Sequence, residues 1–325
     1  MNNNSSSETI PKDVRMIHNV LATIVSIFGI ILNLIILLAI LRYRLYKQTV
    51  IVFIVNLSVL YCISSGFSVA YIAYNSFTIY NSDSLNPMVC RAFGFITYTI
   101  SGAELTALCL ISFNRYCLIV YMEKYNAIYG KRSNVLIMLF LSWLLYFVLF
   151  LLPTTEIWGK MIYDKNRFLC QPFLYGDSFS KFIAYFSVGS TAPPLVFCYV
   201  GIICKVNSTR NKLNKVSDTH ASRRPKRMPF MIIFILTTFG VLYLPFIFVQ
   251  GTDPDAVKYD IRIHLVTVYI AWVHLLCNPI IYAVFNQHIQ TALKKLFCLK
   301  VKNEIFAQTH HTLDVQINVI ASQRS

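Results

Sequence analysis

Seven long apolar runs dominate the chain, at 17–41, 49–73, 91–121, 134–153, 180–204, 229–250 and 263–285. A helix needs about 20 residues to cross about 30 Å of hydrocarbon. Lipid offers no partner to backbone N–H and C=O groups, so runs of this length are satisfied as helices. The run 91–121 exceeds one crossing and is expected to tilt or to protrude into the cytoplasm. Only 13% of residues are charged, against about 25% in a soluble domain. The expected fold class is therefore all-α membrane protein, a seven-transmembrane helix bundle, with no internal repeat and no second domain.

Charge sets the topology. With the N-terminus outside, the inner segments hold 20 Lys/Arg and four acids, and the outer segments hold nine of each. Nearly all of the net charge of +15 is then cytoplasmic, as the positive-inside rule requires. A basic balance of this kind points to anionic lipid and a cytoplasmic partner, not to nucleic acid. Residues 1–18 are polar, without the apolar core of a cleavable signal, so the first span is expected to act as its own insertion signal.

Of the nine cysteines, only Cys90 and Cys170 fall outside, at the start of span three and in the second outer loop. They share the oxidising face, and a disulfide between them is expected. Asn3 and Asn4 head outward-facing sequons and are N-glycosylation candidates; Asn56 and Asn207 also head sequons but lie in a span and inside. Cys298 follows an amphipathic stretch, and palmitoylation and plain interfacial packing are equally open there.

Two motifs carry a resemblance. Span three ends Leu105-Thr-Ala-Leu-Cys-Leu-Ile-Ser-Phe-Asn-Arg-Tyr116, and span seven contains Leu276-Cys-Asn-Pro-Ile-Ile-Tyr282. Asn-Arg-Tyr closing one span and Asn-Pro-x-x-Tyr closing another resemble the rhodopsin-like G-protein-coupled receptors. The likeness covers about 17–298: Asn33 in span one, Asn56 in two, Cys90 before Arg115, Trp143 in four, Tyr199 in five, and Phe239 with Pro245 in six. Residues 286–298 read as the short eighth helix lying on the membrane. Asn114, Leu242-Tyr-Leu-Pro-Phe246 and Trp272 together resemble the branch holding melatonin receptors, the insect Moody and Trapped-in-endoderm receptors, and the medium-chain fatty-acid receptor.

What the resemblance implies is an extracellular ligand, a heterotrimeric G protein, arrestin, and a plasma-membrane location with the N-terminus outside. Asn114, Arg115, Tyr116, Tyr199, Phe239, Pro245, Asn278, Pro279 and Tyr282 would form the coupling and switching set, with Pro245 and Pro279 as hinges because proline removes a helical hydrogen bond. The expected limits are a tail at 1–16, the bundle at 17–285, the eighth helix at 286–298 and a cytoplasmic tail at 299–325.

Departures from the family pattern sharpen the reading. Asn114 replaces the acid beside Arg115, and 223–227 at the foot of helix six holds no acid, so no ionic lock can form. Pro193 and Pro194 stand closer to Tyr199 than the family's helix-five proline, which shifts the kink or the register. Tyr61 stands where helix two carries an Asp, and Glu104 is the one carboxyl group deep in a span. Glu104, Tyr61, His274 and Asn33 are expected to form a buried polar site. Three forms stay open: a relocated sodium site, a Glu–His proton-linked pair, and a neutral Glu104 hydrogen-bonded to Tyr61, with the last favoured.

By family position the ligand would meet Thr97, Tyr98, Ser101, Gln171, Phe173, Tyr243, Phe246, Gln250, Tyr269 and Trp272. Thr97 removes the counter-ion for an amine, and Trp272 excludes a retinal Schiff base. An aromatic lining with a few hydroxyls and amides suits a neutral or amphipathic small molecule or a lipid. No P-loop, zinc spacing or nucleophile triad is legible, so no enzyme, cofactor or metal site is expected. The rival readings are a seven-span transporter or channel and a receptor that binds ligand without coupling.

Overall fold

The apolar runs fold into the elements their periods require. The computed structural model describes residues 12–78, 86–164, 168–172, 178–216, 227–253 and 258–297. The helices are α1 (Lys12–Arg42), α2 (Thr49–Thr78), α3 (Pro87–Ile119), α4 (Met122–Tyr129), α5 (Arg132–Thr154), α6 (Ser178–Val216), α7 (Arg227–Thr252), α8 (Ile261–Trp272), α9 (His274–Phe285) and α10 (Gln287–Leu296). Among the described residues, six apolar helical stretches have membrane-crossing length, α8 and α9 counting as one, and α7 adds the shorter run Thr237–Thr252. The result is a seven-helix transmembrane bundle.

Helix starts follow local chemistry. Asn86 accepts the N–H of Met88 with Pro87 at the first helical position, and Asp260 and Asn286 cap α8 and α10 the same way. α1 starts at Lys12, earlier than the apolar run suggests, because its first turns are polar yet helical. α6 runs unbroken through Pro193 and Pro194. The interruption in the last span falls at Val273, not at Pro279, which α9 passes through. Pro245 likewise lies inside α7.

α3 is the central strut, packed by α2, α5, α6 and α7, while α1 packs on α2 and α9. Two glycines permit this closeness. A Cβ on Gly102 would overlap the Tyr146 ring, and one on Gly201 would overlap Tyr116, so small residues set the α3–α5 and α3–α6 contacts. Tyr61, Tyr146 and Tyr282 are fully buried. Phe140, Leu141, Val196 and Phe197 point outward on α5 and α6, as expected where the outer solvent is hydrocarbon.

The two ends of the bundle differ. At one end, β1 (Ile162–Asp164) pairs antiparallel with β2 (Leu169–Gln171), and Cys170 of β2 is disulfide-bonded to Cys90 of α3. At the other lie α4 and α10. α10 buries Ile289 and Ala292 and carries Lys294 and Lys295 in its last turn, the division expected of a helix resting on a membrane surface.

Candidate functional site

The site is a column down the bundle axis. Beneath the hairpin lies a narrow slot of about 50 Å³ walled by α1, α2, α3, β2 and α8. Thr97, Tyr98 and Trp272 line it as expected from the sequence. Its other walls were not foreseen: His18, Phe67, Ser68, Tyr71, Phe93 and Phe168 among them. Phe168 is buried with φ 52°, a conformation costly for a bulky side chain. It stacks on His18, ring centroids 4.6 Å apart.

Several expected lining residues are occupied elsewhere. The Tyr269 hydroxyl lies 2.6 Å from His18 Nδ1 and donates to the His18 carbonyl at 2.8 Å. Gln171 is buried and donates to Asp164 within the hairpin at 2.7 Å. Tyr243 stacks on Phe239, centroids 4.2 Å apart, deeper in the bundle. Ser101, Phe246 and Gln250 are half-buried and do not wall the slot. Phe173 lies outside the described residues, as do Asn3, Asn4 and Cys298.

Below the slot is a buried polar layer. Asn278 Nδ2 donates to the Tyr61 hydroxyl at 2.5 Å. The expected Glu104–Tyr61 hydrogen bond is not what the packing sets up: Glu104 Oε2 faces His274 Nε2 at 3.5 Å, because α3 and α9 turn these two side chains towards each other. His274 Nδ1 lies 2.5 Å from the Ala271 carbonyl, at the break between α8 and α9. Asn33 Nδ2 donates to the carbonyls of Gly29 and Leu275 at 2.9 and 3.1 Å. The second of these has a simple cause. Leu275 is four residues before Pro279, which has no N–H to give it, and Asn33 supplies the missing donor from α1.

At the α4 end, Arg115, Asn114 and Tyr116 are buried. Asn114 Nδ2 donates to the Tyr125 hydroxyl of α4 at 3.3 Å. Tyr116 packs against Phe197 of α6 at 5.1 Å between centroids, and Tyr199 is half-buried on the same helix. His288 of α10 sits close enough to Arg115 to feel it. Burial first, and then the Arg115 positive charge, hold the His288 imidazole below its ordinary value. The basic foot of helix six at 223–226 lies outside the described residues.

One constellation escaped sequence reading. Asp253 at the hairpin end of α7 accepts the N–H groups of Lys258 and Tyr259 at 3.0 and 2.8 Å, and its Oδ2 meets His264 Nε2 of α8 at 2.9 Å. Both side chains are buried. The partners lie on either side of a loop in which acids are common, so no spacing announced the pair. Among the described residues no group of three or more His, Cys, Asp or Glu is gathered to hold a metal.

A helical bundle with lipid-facing apolar surfaces, a stapled slot at one end and a buried Arg at the other defines a multi-pass membrane protein of receptor type. Residues 32–282 match the model of the 7 transmembrane receptor (rhodopsin family), and the chain belongs to that family. It is similar to "Protein trapped in endoderm-1" of Drosophila melanogaster, 28% identical over 297 residues, 83% of this chain and 74% of that one. It is also similar to "Melatonin receptor type 1A" of Ovis aries, 25% identical over 294 residues and 86% and 77% of the two chains. "G-protein coupled receptor 52" of Bos taurus matches at 25% over 230 residues, 67% of this chain and 63% of that one. Family membership makes the chain a receptor and not an enzyme.

Proposed function

We propose that the protein is a plasma-membrane receptor that takes a neutral or amphipathic small molecule or lipid from outside the cell and activates a heterotrimeric G protein inside, with arrestin as a second cytoplasmic partner. The hairpin end faces outward and α4 and α10 face the cytoplasm, which agrees with the inward excess of Lys/Arg. The polar tail would carry glycans at Asn3 and Asn4 in this orientation, and Cys298 would be the acylation site. The observation that carries the reading is the axial column itself. It runs from an aromatic slot through the Glu104–His274–Tyr61–Asn278 layer to buried Arg115 beside α4.

The slot favours a ligand with an apolar ring or chain end and few polar groups. Its present size is far below the roughly 300–1,000 Å³ of ordinary ligand sites, so binding requires it to widen. Widening moves α2, α3 or α8, and each of these reaches the polar layer below. The test is a panel of indoles, fatty acids, lysolipids and short peptides, scored for G-protein dissociation and for arrestin recruitment. Arg115→Ala should abolish dissociation while leaving ligand affinity nearly unchanged. Full signalling by Arg115→Ala at equal surface level removes the assignment. Arrestin recruitment without dissociation in the parent identifies a non-coupling receptor instead.

A further inference from the structure

We propose that the lipid-facing wall of α6 holds a second binding site, a groove over 192–201 whose occupant is an uncharged, membrane-dissolved alcohol that donates its O–H to the backbone carbonyls of Gly189 and Ser190. Two adjacent prolines create the site.

Pro193 and Pro194 lie inside α6 and bring no N–H. In a helix the Gly189 carbonyl would take the N–H of residue 193, and the Ser190 carbonyl that of residue 194. A single proline can be relieved by an N–H one position away or by a side chain. Here the first route is blocked: residue 194 cannot serve Gly189 and residue 193 cannot serve Ser190, because both are proline. The N–H groups of Ala192 and Leu195 already serve Val188 and Thr191. Side chains do not help either. The hydroxyls of Ser190 and Thr191 turn back to the Ser187 carbonyl at 3.5 and 2.5 Å, and Cys109 Sγ goes to the Thr191 carbonyl at 3.8 Å. Among the described residues no side chain donates to the carbonyl of Gly189 or Ser190. Pro279 is a contrast, since Asn33 gives Leu275 the missing donor.

These two acceptors stand at the surface. Gly189, Ser190, Ala192, Pro193 and Pro194 are exposed, and a Cβ on Gly189 would meet no atom within 4 Å. Gly189 lies about 16 Å along α6 from Ser178, about half of the roughly 30 Å hydrocarbon layer. At that depth no water or lipid headgroup brings a donor, and an unsatisfied backbone group is strongly unfavourable. Directly beyond, α6 forms a groove of about 680 Å³ lined by Ala192, Pro193, Val196, Phe197, Val200 and Gly201, a size within the roughly 300–1,000 Å³ of small-molecule sites. Val196, Phe197 and Val200 face outward. From Pro193 to Gly201 the helix rises about 12 Å, which sets the length of the apolar body that covers it.

Chemistry selects the occupant. The site offers acceptors and no cation, so a phosphate or carboxylate is repelled, and a plain hydrocarbon leaves the carbonyls bare. One O–H on an elongated apolar body satisfies both parts. Resting on Phe197, the occupant also bears on the coupling end. Phe197 packs on Tyr116 at 5.1 Å between centroids, and Gly201 leaves room for the Tyr116 ring, which is next to Arg115 in the chain.

The test is photolabelling of the full-length protein in lipid nanodiscs. One reagent is a long-chain primary alcohol carrying a diazirine at its far end, and the other is its methyl ether. The outward face of α5 at Phe140 and Leu141 reports the membrane concentration of each. Relative to α5, the alcohol should label 192–201 roughly two- to tenfold more than the ether, as one hydrogen bond predicts. In Pro193→Ala/Pro194→Ala, residues 193 and 194 regain their N–H groups and the ratio should fall to about one. Val196→Trp fills the groove and should reduce both labels. Equal labelling by alcohol and ether in the parent overturns the proposal without any variant having to fold. An alcohol preference that survives the two alanine substitutions overturns it too. If those substitutions leave labelling unchanged and alter the monomer–dimer ratio, a second copy of the chain covers this face and the alcohol site falls. Labelling involves no G protein, so failure of the coupling assignment is seen separately, in nucleotide exchange.

Discussion

Replacing Asn33 by Ala should orphan one backbone carbonyl, and a second substitution should rescue it. Asn33 Nδ2 bonds the carbonyls of Gly29 and Leu275. Gly29 is four residues before Asn33 on the same helix, so its carbonyl keeps the backbone N–H of residue 33. Leu275 has no such reserve, because Pro279 is the residue that would have donated to it. Leaving a buried acceptor unpaired costs about 1–3 kcal/mol, and membrane interiors favour the lower half of that range. At roughly 2 °C per kcal/mol for a chain of this size, Asn33→Ala should lower the unfolding midpoint by about 2–4 °C. In a Pro279→Ala background, residue 279 regains an N–H that can serve Leu275. There Asn33→Ala should cost less than about 0.5 kcal/mol. The assay is thermal unfolding of the four proteins of the cycle in nanodiscs, followed by the accessibility of buried Cys198. An equal drop in both backgrounds refutes the reasoning, since Asn33 would then be acting through something other than the carbonyl that Pro279 frees.

Three further outcomes follow from the same structure. Non-reduced peptide mapping should recover the Cys90–Cys170 crosslink, and Cys90→Ala should reduce surface level or ligand binding by freeing the hairpin. Asn114→Asp puts a full charge beside Arg115, and charge-assisted bonds are worth about 1.5–3 kcal/mol. Basal G-protein activation should fall roughly tenfold or more, and unchanged or higher basal activity defeats the idea that this end lacks a restraint. Burial and Arg115 hold His288 below its ordinary value, so its docked form is neutral. Its contribution to helix α10 docking is present above about pH 6.5 and is lost as pH falls below that value, which hydrogen exchange of α10 amides at pH 7.5 and 5.5 measures; His288→Gln should remove the difference.

Sequence alone determined the bundle, because membrane-crossing helices satisfy their own backbone and announce themselves by length. The runs at 17–41 and 134–153 needed no partner to become α1 and α5. The same locality made the stapling cysteines legible, since the charge pattern left only two on one face. The motifs around Arg115 and Asn278 were legible because they are contiguous in the chain.

Side-chain partners were decided by tertiary structure. Glu104 was recognisable as a buried acid, but its placement opposite His274 at 3.5 Å depended on how α2, α3 and α9 rotate about their axes. The break at Val273 carries no proline or glycine, so no local signal marked it. Three walls of the slot, Thr97, Tyr98 and Trp272, were expected, but not the others: His18 and Phe168 are 150 residues apart in sequence and meet only when the hairpin folds over α1. Hydrophobic length is a property of a segment and can be read from it. A hydrogen bond between helices depends on rotations and depths that no single segment encodes, and only the packed bundle sets them.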